Sequence, residues 1–79
     1  MNQNHIRLLA IHDLYWNIPN MQKASPDRDR KIFLAKVRAG IDFVADKMFH
    51  SVARRKWNLS EKQLACLEKA EAVIMEAGL

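Results

Sequence analysis

Six apolar residues, Phe33, Val37, Ile41, Val44, Met48 and Val52, follow one another at intervals of three or four. At 3.6 residues per turn, that spacing aligns them along one side of a helix. Leu34, Ala45 and Phe49 widen the stripe. Gly40 falls in its middle. Phe33 to Val44 and Val37 to Met48 are each eleven residues apart, nearly a whole number of turns, so the stripe stays in phase across the glycine. The pattern predicts one unbroken helix, with Gly40 admitting another helix at close range for a cost of about 1 kcal/mol. Its start is marked by Ser25-Pro26-Asp27. Serine caps free amides, proline tolerates the first helical position, and Asp27 and Asp29 face the positive helix end. The central helix is predicted from Pro26 to about Lys56.

Two shorter helices flank it. Leu8, Ile11, Tyr15 and Ile18 share one helical face, with Leu14 beside them, and predict a helix from about Asn4 to Asn17. Pro19 ends it, because a residue preceding proline is pushed out of helical geometry. The last helix begins at a capping box formed by Ser60 and Gln63, inside a hydrophobic staple of Leu59 and Leu64. Leu64, Leu67, Ala70, Ile74 and Ala77 face inward. Gly78 suits a left-handed terminator, with Leu79 folding back over the last turn. With only two glycines and two prolines, the chain lacks the turn residues of a strand meander. The expected fold is a single all-α domain over residues 1–79, an antiparallel three-helix bundle. A central helix of that length outreaches its two neighbours, and several large side chains left bare favour association. A homodimer through the central helix is therefore expected, against a compact monomer bent at Gly40.

Charge is unevenly spread. Residues 23–56 hold ten Lys or Arg against four Asp, whereas residues 60–79 hold two Lys against four Glu. A basic middle suits an anionic partner, either nucleic acid or an acidic protein face. No apolar run approaches the ~18 residues of a membrane span, and the polar N-terminus carries no secretory pattern. Cys66 is the single cysteine, which fits a reducing cytoplasm and a half-buried thiol.

Catalytic chemistry is not foreshadowed. His5, His12 and His50 lack the i,i+4 pairing of helical metal ligands, and no phosphate loop, nucleophile elbow or paired catalytic carboxylates occur. Asp42 and Asp46 lie in a row begun by Arg38, which reads as a solvated ion-pair row. The chain is expected to be no enzyme and to hold no cofactor or metal.

Binding residues are easier to nominate. Arg54, Arg55, Lys56 and Trp57 close the central helix, where cations offset the dipole but could also contact phosphate while the indole stacks. Lys36 and Lys47 share the face of Arg54 and extend the strip, diluted by Asp29. Tyr15 and Trp16 are adjacent and cannot both enter the core, so one belongs at its margin or at a partner interface. A helix-turn-helix is disfavoured, since no recognition helix follows residues 60–67.

The stretch from Phe43 to Lys69 resembles a short helical module of small phage-encoded proteins. The likeness is carried by Phe43, the basic Arg54-Arg55-Lys56, Leu59-Ser60-Glu61-Lys62-Gln63 and Leu67-Glu68-Lys69, with Trp57 standing where the module has a glycine-containing turn. The resemblance implies a phage or mobile-element origin near nucleic-acid metabolism. The expected function is a helical regulator or inhibitor that docks on a host or viral protein; the alternative is direct nucleic-acid binding through the basic strip.

Overall fold

A computed structural model of the chain describes residues 3–56 and 58–79. Helices α1 (Gln3–Ala24), α2 (Arg28–Ala53) and α3 (Glu61–Glu76) form an all-α bundle in which α1 and α3 both pack on α2. Among the described residues there is no strand. Short connectors reverse the chain twice, so α1 and α3 run parallel to each other and antiparallel to α2.

The third helix starts where its sequence dictates. The Ser60 hydroxyl accepts the Gln63 N–H at 3.2 Å, and the Gln63 side chain accepts the Ser60 N–H at 2.9 Å. Leu59 and Leu64 pack against the core on either side of this cap. At the far end, the Leu79 N–H bonds the Ile74 carbonyl at 3.2 Å and the Gly78 N–H bonds that of Met75 at 3.0 Å. Gly78 sits at φ 73°, as this Schellman closure requires.

The central helix is continuous through Gly40 but shorter than its pattern suggests at both ends. Asp27, not Ser25, is the cap, accepting the Asp29 N–H at 2.9 Å. Ser25 instead turns its N–H back to Gln22 at 3.3 Å, which leaves Pro26 before the cap. At the other end the same Schellman geometry recurs without a glycine. The Lys56 N–H reaches the Ser51 carbonyl at 2.9 Å and the Arg55 N–H reaches Val52 at 3.2 Å, with Arg55 at φ 54°. Helical winding therefore stops at Ala53, not Lys56.

Helix α1 departs most from expectation: it passes through Pro19 and ends at Ala24. A proline in a helix interior leaves the carbonyl four residues back without its amide. Here that carbonyl belongs to Tyr15, and Arg38 Nε of α2 donates to it at 3.4 Å. Beyond the proline, Gln22 donates its side-chain amide to the Lys31 carbonyl at 3.0 Å, while Met21 packs with Ile18, Leu34 and Val37. Tertiary contacts thus supply what local geometry withholds. A double-mutant cycle in chemical denaturation checks this: Arg38→Ala should cost about 1 kcal/mol more beside Pro19 than in a Pro19→Ala background, where a backbone amide takes over. Equal costs would dissociate Arg38 from the proline.

The lengthened α1 changes what α2 exposes. Leu8, Ile11 and Tyr15 join Ile41, Val44, Met48, Leu67 and Ala70 in one core cluster drawn from all three helices. Ile18, Leu34 and Val37 form a second, smaller one. Phe43 and Phe33, at the margins, lie under Lys69 and Arg30, whose charged ends stand 5.6 and 5.2 Å from the ring centroids. The stripe expected to lie bare is therefore covered within one protomer, and of the large apolar side chains of α2 only Ile32 is exposed, at 44%. The argument for a dimer through α2 falls with it.

Candidate functional site

Three helices make three seams, and the sequence treats each differently. Between α2 and α3 the backbones come close because Gly40 has no side chain: a Cβ there would meet Val73 Cγ1 at 3.1 Å. Lys36 and Lys47, four and seven residues from Gly40, lie on this flank of α2, and both are exposed. Arg54, Arg55 and Lys56 continue the strip at its end, also exposed. None of these five cations makes an ion pair with a described residue. Trp57 lies outside the described residues.

The α1–α2 seam is closed by polar chemistry. The Tyr15 hydroxyl donates to the Asp42 carboxylate, and the Arg38 guanidinium lies 4.2 Å from the centroid of the Tyr15 ring. Asp42 is thus engaged by a phenol across the seam, and the expected Arg38–Asp42 ion-pair row does not form. The hydrogen bond to Asp42, aided by burial, raises the Tyr15 pKa above its ordinary value, with the positive Arg38 opposing. The folded protein then holds this proton more tightly than the unfolded chain does. The resulting stability is intact below about pH 10 and is lost as pH rises through the raised value. Tyr15 is the only tyrosine, so phenolate absorbance reports it alone. Its midpoint should exceed that of the denatured chain and fall in Asp42→Asn; a midpoint unchanged by denaturation would refute the link.

Of the adjacent aromatics, Tyr15 enters the core and Trp16 stays 56% exposed. The indole stands beside His12, which in turn meets the Phe49 ring edge-on at 4.8 Å. Trp16 follows Arg7 by nine residues, half a turn round the helix at 100° per residue, so it looks away from α3. The basic strip and Trp16 therefore occupy different faces and do not form one site.

The third seam, between α1 and α3, is left open. Its groove encloses about 540 Å³, lined by Ala10, Ile11, Leu14, Ile74, Met75 and Leu79. Arg7 and Glu71 bridge it with a two-pronged ion pair at one end. Ala10 is too small to span the gap, and Met75 points outward, 78% exposed. Sequence reasoning missed this groove although a signal was present. Ile74 and Met75 are adjacent apolar residues on one helix, and they divide between core margin and solvent just as Tyr15 and Trp16 do.

Among the described residues, no cluster of His, Cys, Asp and Glu could hold a metal ion, and no helix is long and apolar enough to cross a membrane. Cys66 is half-buried against the core. No protein-family model, curated protein or solved structure matches this chain.

Proposed function

We propose that this chain is a non-enzymatic regulator or inhibitor that works by binding another protein through the α1–α3 groove. The observation that carries the reading is the open apolar seam with Met75 exposed beside it, the most exposed of the domain's large apolar side chains among the described residues. Where such a side chain anchors an interface, truncating it costs more than about 1 kcal/mol, as it does for the minority of interface residues that carry most of the binding energy. The likeness of residues 43–69 to a phage-encoded module is the ground for seeking a host or viral partner in the cytoplasm. Photo-crosslinkers placed singly at Met75, Trp16 and Lys36 in the producing cell test the reading. A discrete protein adduct at Met75, lost when Ala10→Arg fills the groove, is expected; adducts restricted to nucleic acid at Lys36 would overturn it.

Nucleic-acid binding along the α2–α3 seam is the second reading, favoured by five unpaired exposed cations and by Arg55 in left-handed geometry. A non-glycine residue there costs about 1–2 kcal/mol, and backbone strain of this kind collects at functional sites. Arg55→Gly should stabilise the fold by about 1 kcal/mol. On this reading it should also reduce the salt dependence of duplex binding by about one unit of slope. A stabilised variant with unaltered binding, or a parent that binds no duplex at low salt, removes the second reading.

A further inference from the structure

We infer that the α1–α3 groove receives an amphipathic helix with a Lys- or Arg-flanked apolar stripe, supplied by a different protein. The inference rests on the protein-binding reading above and adds the chemistry of the partner. Shape comes first. Two parallel helices seated on a third leave a trough, and an incoming antiparallel helix would complete a four-helix arrangement. Apolar residues at i, i+3, i+4 and i+7 are the usual anchors in such grooves. Here they would meet Leu14, Ile74, Met75 and Leu79, while Ala10 allows the backbone to come near.

Charge selects the occupant. Arg7 is held by Glu71 and also feels the negative charge of Glu68, so two carboxylates face one guanidinium at that end of the groove. At the other end, α3 finishes beside Met75 and Leu79 with no basic residue in its last turn. The negative pole of its dipole is left without a compensating side chain. Both ends therefore favour cations. A second copy paired through this groove would bring the same carboxylate-rich rim against itself, and its most basic helix, α2, already buries its apolar stripe inside its own bundle. A nucleic acid would meet those carboxylates with its phosphates.

Two labelled helical peptides of equal length test this, sharing one leucine stripe and carrying either Lys or Glu elsewhere. Fluorescence anisotropy against the intact protein should show the Lys peptide binding about tenfold or more tighter than the Glu peptide, with the difference shrinking in high salt. Glu68→Lys should weaken the Lys peptide about threefold. Ala10→Gln combined with Met75→Gln should weaken it about tenfold while circular dichroism stays unchanged. Equal binding of both peptides would overturn the charge assignment and leave the protein-binding reading standing. Binding that ignores the Ala10 and Met75 changes would place the peptide elsewhere and overturn the groove as its site. Failure of both peptides, with a protein dimer dissociated by Met75→Gln, would make a second copy the occupant. Failure of both with a monomer and no crosslink at Met75 would defeat both readings.

Discussion

Leu67→Ala is expected to destabilise the protein by about 2–5 kcal/mol, the usual range for deleting a fully buried leucine side chain. Leu67 and Ala70 are the only fully buried residues that α3 contributes, so the leucine provides most of that helix's enclosed apolar surface. A domain of this size has roughly 4–12 kcal/mol in total, at about 0.05–0.15 kcal/mol per residue. The loss is therefore large enough to loosen α3 before the α1–α2 pair. Urea denaturation measures the total. Hydrogen exchange locates it: α3 amides should lose protection first, while those of α1 and α2 in the core keep more of theirs. Uniform loss across all three helices would show that α3 is not the weakly held element. Because α3 forms one wall of the groove, the same variant should also lose the Lys peptide.

Enlarging residue 40 tests the opposite kind of fault. Gly40→Leu should cost about 1–3 kcal/mol, since its Cβ alone already stands 3.1 Å from Val73 Cγ1 and the bulk beyond it must force the helices apart or turn out to solvent. Gly40→Ala is more finely balanced. A helical alanine gains about 1 kcal/mol over glycine, but its Cβ would stand 3.1 Å from Val73 Cγ1, and a β-branched side chain cannot easily swing aside. Combining Gly40→Ala with Val73→Ala should relieve that contact, and the double variant should be about 1 kcal/mol more stable than the two single changes predict. Simple additivity would mean that the two helices adjust freely, and that the close approach is incidental.

What the sequence disclosed follows how local each cause is. The α3 start was legible because both halves of its cap and both residues of its staple lie within a few positions of Ser60. Continuity through Gly40 was legible because phase can be counted along one helix. The exit from α1 was not, since the donor that tolerates Pro19 is Arg38, nineteen residues further on. That error spread. A shorter α1 implied an uncovered α2, which was the ground for expecting a dimer; with the stripe covered, that ground is gone. For the adjacent aromatics, sequence logic required one inside and one outside but could not choose, because the choice depends on Asp42 being across the seam to take the Tyr15 hydroxyl. The nominated cations proved exposed, yet Trp16 faces elsewhere and Trp57 lies outside the described residues. The groove itself belongs to no single segment: it exists only in the gap between two helices.

The proline joint also bears on how the chain acquires its form. An isolated peptide of residues 3–24 lacks Arg38, the donor to the Tyr15 carbonyl, so its winding should fade near Ile18 and leave the remaining turn and a half frayed. In the whole protein that last stretch can wind only after its neighbour has arrived. The final length of the first helix is thus decided late, by a residue that leaves the ribosome only after the helix itself has emerged.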